Sequence, residues 1–288
     1  MNIGILASGG DGAGMNACVC EIAKCLKAHN LVLFYEGYRG LIENNVCQIE
    51  DLQKYKNDGG IVIKTSRCPE FKTEQGVEKG YETYKKHNLS ALVVLGGNGS
   101  QKGGQELSKK GANVFFVPCT IDNDVDETDY AIGHDTAVCN VVDYIKNVNA
   151  TMQSFNRVCI YETMGRHCPD IAIKSAMEIK PTYLFVNEKQ NFEQCIDAVK
   201  KADKNTAPII ITRENLIDAN ALAEEVANQT DFETRVAIIG YVQRGGKPTK
   251  YEVKMAKGFA KQIATAIKQN QTNKKVVLKN NKFVLQDL

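Results

Sequence analysis

The chain has no cysteine pair of the C-x-x-C kind, no apolar run near membrane length, no block of one charge and no repeat of fixed period. Each absence removes a class of function. A formal net charge of +2, from 36 basic against 34 acidic residues, leaves no electrostatic footprint for nucleic acid. Without ~20 consecutive apolar residues, no segment is expected to span a bilayer. The N-terminus runs straight into "NIGILASGG", with no charged segment or cleavage site ahead of it, so the cytoplasm is the expected address. Ten cysteines are many, but Cys18 and Cys20 stand two apart and the rest are scattered through apolar segments. Reduced, core-filling thiols are expected rather than a disulfide or zinc framework, which would show paired spacings.

What is present is an alternation. A chain of 288 residues, 43% hydrophobic and 24% charged, can bury one large core or two linked ones. Short apolar runs ("NIGILAS", "LVLFYEG", "ALVVLGG", "NVFFVP", "RVCIYET", "TYLFVNE", "APIIIT" and "RVAIIGY") alternate with segments of helical period near 14–28, 136–149, 171–178, 192–203, 219–228 and 251–268. The hydrophobicity of the runs is continuous, which predicts strands covered on both faces. The rhythm predicts an α/β protein with mainly parallel sheets and crossover helices. The Asn- and Lys-rich tail predicts a short hairpin around Asn280–Asn281.

Five motifs stand at the ends of these strands. "ILASGGDGAGMNA" (5–17) passes from strand to helix through four glycines, and "GGNGS" (96–100) is a second glycine turn at a strand's carboxyl end. Glycine lets backbone N–H groups approach an anion, and a helix N-terminus favours negative charge there. A tight turn without a ligand is the bland alternative, and the dinucleotide spacing G-x-G-x-x-G is not met. Two such turns in one parallel sheet suggest a shared crevice. In "PCTIDNDVDETDYAIGHDTA" (118–137), Asp122, Asp124, Asp126 and Asp129 crowd into eight residues. That pattern is either a solvated acidic loop or a carboxylate placed to take a hydroxyl proton; Ile121 and Val125 within it disfavour full exposure. "YETMGRHCPD" (161–170) and "GYVQRGGKPT" (240–249) present Arg166 and Arg244 at further strand ends, as surface ion pairs or as phosphate forks. Together the motifs point to phosphoryl transfer, with one polyanion in glycine turns, another held by arginines and an aspartate between.

In this order, "SGGDGAGMN", "TSRCPEF", "GGNGS", "TIDND", "ETMGRHC" and "GYVQRGG" closely resemble the 6-phosphofructokinase family of the bacterial ATP-dependent type, from Asn2 to about residue 270. The resemblance implies two doubly wound α/β domains with the active site in the cleft between them. A nucleotide-binding domain would take residues 1–135 plus 245–288, and a sugar-phosphate-binding domain 136–244. It implies transfer of the γ-phosphoryl of MgATP to the 1-hydroxyl of fructose 6-phosphate, the glycolytic reaction, in a homo-oligomer (tetramer or dimer). The alternative is a weak or inactive paralogue acting as a sugar-phosphate-binding or regulatory subunit. By the same resemblance Gly10, Tyr38, Arg67, Cys68, Gly97, Asn98, Gly99, Ser100 and Gly103 would meet ATP. Thr120, Asp122, Asp124 and Arg166 would carry the chemistry, with Asp122 as general base and Arg166 stabilising the moving phosphoryl. Met164, Gly165, Glu214, Tyr241 and Arg244 would hold the sugar phosphate, and Arg157 and Arg235 would reach it from a neighbouring subunit.

The departures from the family pattern are local. Asn98 stands where the ATP-type loop has an aspartate that helps hold Mg²⁺; an amide oxygen can ligate the cation but brings no charge. Loss of that carboxylate is worth about 2–4 kcal/mol of transition-state stabilisation. Gly99 keeps the ATP-type pattern, and Cys119 fits neither the ATP nor the pyrophosphate class. Tyr241 replaces the usual histidine and Glu252-Val253 the usual Asp-Arg. Cys20, Asp51 and Asn149 occupy positions of effector-binding arginines, with only Lys24 still basic, so the customary effectors are not expected. The chain also ends before the closing helices of typical members.

Overall fold

A computed structural model describes residues 1–203 and 205–288. Along the chain the elements are β1 (Asn2–Ser8), α1 (Met15–Cys25), β2 (Asn30–Phe34), α2 (Tyr38–Glu43), β3 (Val46–Cys47), α3 (Glu74–Lys86), β4 (Leu89–Gly96), α4 (Asn98–Lys109), β5 (Val114–Pro118) and α5 (His134–Ser154). They continue with β6 (Val158–Thr163), α6 (Asp170–Ile179), β7 (Tyr183–Leu184), α7 (Phe192–Lys200), β8 (Ile209–Arg213), α8 (Ala219–Gln229) and β9 (Thr234–Ile238). The chain closes with α9 (Lys250–Lys268), β10 (Lys274–Lys279) and β11 (Lys282–Asp287). Two compact units result: Met1–Asp135 with Arg244–Leu288, and Thr136–Gln243.

The first unit is built on a seven-stranded sheet, ordered β11-β10-β5-β4-β1-β2-β3. Its five central strands are parallel, and β3 and β11 are antiparallel edges. Alternation of side chains along each strand explains the unbroken apolar runs. Ile3, Ile5, Ala7, Val93, Leu95, Phe115 and Val117 face one core with α1 and α9. Leu6, Phe34, Leu92, Val94, Val114 and Phe116 face the other with α3 and α4. The second unit carries a four-stranded parallel sheet, β7-β8-β6-β9. Val158, Ile160 and Ile210 pack there on Ile196 and Val199 of α7 and Leu222 and Val226 of α8. Both units are therefore α/β with mainly parallel strands.

The structure differs from the periodicity at identifiable places. "TYLFVNE" predicts a strand of seven residues, but β7 holds only two. Gln190 intervenes: its Nε2 donates to the Leu184 carbonyl (2.7 Å), and its Oε1 accepts from the Val186 (2.7 Å) and Asn187 (3.3 Å) amides. "RVAIIGY" ends as a strand at Ile238, and a 3-10 turn over Gly240–Arg244 follows. The helix α4 was hidden by Gly99, Gly103 and Gly104, which depress helix propensity. Tertiary packing wants that smallness, since a Cβ at Gly103 would stand 2.8 Å from the Tyr38 ring. The tail closes as the expected hairpin, with Asn280 and Asn281 both left-handed (φ 49° and 59°) in its turn.

Six of the ten thiols behave as the expected core filler, whereas Cys139 is exposed and Cys25, Cys68 and Cys168 are half-buried. Cys18, Cys20, Cys47, Cys119, Cys159 and Cys195 are buried and free. Burial pushes Cys20, Cys47 and Cys159 up to about 11 and Cys195 to about 12, so none of these is a thiolate at neutral pH. Among the described residues no helix is long and apolar enough to cross a membrane.

Candidate active site

In the first unit the two glycine turns leave the sheet side by side. β1 and β4 pair in parallel with Ser8 opposite Gly96. The Ser100 hydroxyl donates to the Ser8 carbonyl (2.8 Å) and locks one turn to the other. Ser100 itself is buried, and its carbonyl accepts from the Tyr38 hydroxyl (2.6 Å). Tyr38 is stacked on Phe71 at 3.9 Å between ring centroids. Both residues, expected from the family pattern to meet the nucleotide, are thus spent on holding the cradle from beneath. The surfaces left above them are backbone: no side chain caps the helix that begins at Asn98, and a Cβ at Gly99 would have nothing within 4 Å. That is the arrangement an anion requires.

The segment carrying Arg67 and Cys68 is bonded to the first turn. The Gly9 amide donates to the Ser66 carbonyl (3.1 Å) and Thr65 Oγ1 to the Gly9 carbonyl (3.2 Å). Arg67 is exposed there and Cys68 half-buried. Arg244 comes to the same turn from the other end of the sequence. Its guanidinium lies 3.8 Å from where a Cβ of Gly10 would stand, and 3.6 Å from the Asp11 carboxylate.

The acidic motif is a braced loop, not a solvated one. It leaves β5 beside the second turn, the Cys119 amide donating to the Gly96 carbonyl (2.8 Å). Asp122 is only 8% exposed, with Ile121 and Val125 buried on either side. Its amide donates to Thr120 Oγ1 (3.2 Å). Asn123 is left-handed (φ 55°) and its side chain accepts from the Ala131 amide (2.8 Å). His134 Nδ1 meets the Ile121 carbonyl at 2.8 Å, and Asn98 Nδ2 donates to the Asp124 carbonyl at 2.8 Å. Asp129 belongs to the C-terminal hairpin instead, accepting from the Asn280 amide (2.7 Å). Glu127 pairs there with Lys275 at 2.5 Å. The four aspartates therefore divide, with Asp122 inside, Asp129 structural, and Asp124 and Asp126 exposed.

Beneath the loop lies a group that sequence reading set aside. Glu252 is fully buried, accepting from the Tyr130 hydroxyl (2.5 Å) and the Gly133 amide (2.8 Å). Gly14, left-handed at φ 92°, lies so close that a Cβ there would stand 2.5 Å from Glu252 Cγ. Burial first, then the Glu252 charge, push the Tyr130 phenol far above its ordinary range, so it stays a donor.

In the second unit the Met-Gly-Arg turn is clamped by side chains at its three amides and at the Arg166 carbonyl. Gln243, buried, accepts from the Met164 amide (3.1 Å). One oxygen of Glu214 accepts from the amides of Gly165 (3.2 Å) and Arg166 (2.9 Å). Arg213, only 4% exposed, donates to the Arg166 carbonyl (2.8 Å). Gly165 at φ 130° and Arg166 at φ 53° both have positive φ, which glycine adopts freely but which is costly for Arg166 and is enforced there by this surrounding set. Glu214, expected to contact sugar, is thus placed to hold the turn that presents Arg166. Burial, with Glu214 and Asp218 nearby, raises the carboxyl of half-buried Glu162. Arg213 and Gln243 escaped sequence reading because nothing in "IITREN" or "YVQRGG" marks a side chain as bonding to a backbone 47 or 79 residues away. Arg213→Met keeps the stem and removes the fork. Its kcat is expected to fall about 10- to 100-fold with substrate KM changed far less, since a ~1 Å misplacement costs that much. Arg213→Lys should recover part of the loss, and steady-state kinetics on the three proteins checks it.

Arg157 and Arg235 both converge on Glu233, Arg157 Nε at 2.5 Å and Arg235 through its other carboxylate oxygen. The Arg157 guanidinium also stacks on the exposed Phe155 ring at 4.4 Å. Tyr241 is 79% exposed. Among the described residues no group of three or more acidic, histidine or cysteine side chains could hold a metal ion by itself.

The family model for phosphofructokinase matches residues 2–267. The ATP-dependent 6-phosphofructokinase of Vibrio cholerae is 36% identical over 99% of this chain and 92% of the relative. That of Finegoldia magna is 37% identical over 98% and 91%. The crystal structure of Pichia pastoris phosphofructokinase in the T-state superposes with a TM-score of 0.90 at 25% identity, covering 99% of this chain and 34% of that one. The match runs through every motif described above, and the chain belongs to the phosphofructokinase family.

Proposed function

We propose that this protein is an ATP-dependent 6-phosphofructokinase, transferring the γ-phosphoryl of MgATP to the 1-hydroxyl of fructose 6-phosphate in the glycolytic step of the cytoplasm. The observation that carries the reading is in the first unit: a nearly buried aspartate, Asp122, leaves the sheet beside two interlocked glycine turns, joined through the Cys119 amide and the Gly96 carbonyl. A base and an anion cradle on adjacent strands suit alkoxide attack on a held phosphate. The likeness to relatives named as ATP-dependent supports the donor.

In this reading the unit of residues 1–135 with 244–288 handles the nucleotide, through Gly10, Arg67, Cys68 and the backbone of Gly97–Gly99. Asp122 takes the 1-hydroxyl proton, with Thr120 and Asp124 shaping its loop. Residues 136–243 serve the sugar phosphate through Met164, Gly165 and Arg166, and Arg166 balances charge on the moving phosphoryl. Arg244 holds the 6-phosphate, and Tyr241 offers a phenol to it. The residues present fit Mg²⁺ brought in on the nucleotide rather than a resident ion, with the Asn98 amide oxygen as the protein's contribution and phosphate and water as the rest; the cation would neutralise phosphate charge. The chain would act as a homo-oligomer, tetramer or dimer, in which Arg157 and Arg235 exchange Glu233 for a neighbouring copy's substrate. Exposed apolar side chains on residues 136–243 (Phe155, Met177, Ile238 and Val242) support such an assembly.

The test is turnover of fructose 6-phosphate with MgATP in an aldolase-coupled assay. Turnover with ATP and none with pyrophosphate is the expected result. Sugar-phosphate binding without turnover would overturn it in favour of a regulatory paralogue.

A further inference from the structure

We propose that Asn98 is a positioning residue for the acidic loop, and that its amide nitrogen, which no carboxylate could replace, is the atom that does the positioning. The inference rests on the phosphofructokinase reading for its kinetic arm. Asn98 opens α4, and its Nδ2 donates to the carbonyl of Asp124, two residues beyond Asp122, at 2.8 Å. The assignment is forced by chemistry, because only the nitrogen of the amide can donate to a carbonyl oxygen.

The bond closes a short circuit around Asp122. On one side the loop is fixed by the Cys119 amide on Gly96 and by Thr120 Oγ1 on the Asp122 amide. Behind, Asn123 is held left-handed by its bond to the Ala131 amide. On the far side of Asp122, the bond from Asn98 ties the exposed Asp124 backbone to the start of α4. Helix α4 is a rigid support, with Ser100 locked to Ser8 and Gly103 against the Tyr38 ring. The same residue thus ties the floor of the phosphate cradle to the strand of backbone that presents the proposed base. An aspartate here would set two acceptors against each other while changing neither volume nor shape. As the first residue of a helix it would also gain from the helix dipole, so any loss it causes does not come from the helix.

The experiment compares wild type with Asn98→Asp and Asn98→Ala. Hydrogen exchange of the unliganded proteins is expected to show amides of residues 121–126 exchanging faster in both variants, with the rest of α4 unchanged and the melting temperature of Asn98→Asp no lower than wild type. In the kinase assay both variants are expected to lose about 5- to 30-fold in kcat, the equivalent of one hydrogen bond to a positioned group. Saturating Mg²⁺ should not restore either. Unchanged exchange over 121–126 would overturn the proposal, as would an Asn98→Asp enzyme with higher kcat and a lower Mg²⁺ requirement than wild type. If wild type itself fails to turn over, the kinase reading falls, and the exchange result still decides the role of Asn98.

Discussion

Asp122→Asn is expected to lower kcat by roughly two to four orders of magnitude, the range for removing a positioned general base. The replacement is isosteric, and three side-chain-to-backbone bonds that brace the loop leave the carboxylate out: Thr120 Oγ1 accepts from the Asp122 amide, Asn123 Oδ1 from the Ala131 amide, and Asn98 Nδ2 donates to the Asp124 carbonyl. The fold should therefore survive, with far-ultraviolet dichroism and melting temperature close to wild type, and KM for fructose 6-phosphate should move much less than kcat. The loss comes from the hydroxyl proton, which an amide cannot accept at neutral pH. Steady-state kinetics over a range of pH checks it. A loss smaller than about tenfold would mean that another group or water takes the proton, and that Asp122 serves only to orient the sugar.

Glu252→Leu is expected to destabilise the first unit by about 3 kcal/mol, because it strands two buried donors, the Tyr130 hydroxyl and the Gly133 amide, at roughly 1–3 kcal/mol each. For a unit of this size that corresponds to a drop of about 6–12 °C in melting temperature. Glu252→Gln keeps an acceptor in place and should lose less. Tyr130→Phe removes one of the stranded donors, so adding it to Glu252→Leu should cost less than the sum of the two single changes, as interacting partners do in a double-mutant cycle. Calorimetric melting of the four variants measures this. Strict additivity would show that the carboxylate and the phenol do not depend on each other. The consequence reaches function, since Glu252 joins the start of α9 to the base of the acidic loop at Gly133 and lies against Gly14 of the first glycine turn.

Which residues of the candidate site were legible in the sequence follows from the kind of bond each makes. Gly10, Gly97, Asn98 and Gly99 could be read because a glycine turn at the end of a strand presents backbone, and backbone placement follows from local order alone. Asp122 could be read because an apolar residue on each flank marks a loop that turns inward. Tyr38 and Ser100 were legible as members of a pattern but not in their manner of acting: a Tyr38 hydroxyl bound to the Ser100 carbonyl, and a Ser100 hydroxyl bound to the Ser8 carbonyl, are contacts across 62 and 92 residues. Glu214, Arg213 and Gln243 share that difficulty. Arg157 and Arg235 were readable as cations, while their common partner Glu233 emerged only when β6 and β9 paired and set Cys159 opposite Arg235.

The amino-acid order by itself determined the α/β class, the position of the parallel strands and the five strand-end motifs, because period and turn chemistry act over a few residues at a time. It also determined the hairpin at Asn280–Asn281, where two residues tolerant of positive φ stand together between apolar runs. Only the tertiary structure decided that β7 stops after two residues, that a glycine-rich stretch becomes α4, and that three buried or half-buried side chains hold the Met-Gly-Arg turn. The physical reason is common to all three. Each outcome depends on which distant group satisfies a backbone donor or acceptor, or fills the space a missing Cβ leaves, and neither is set until the sheets have assembled.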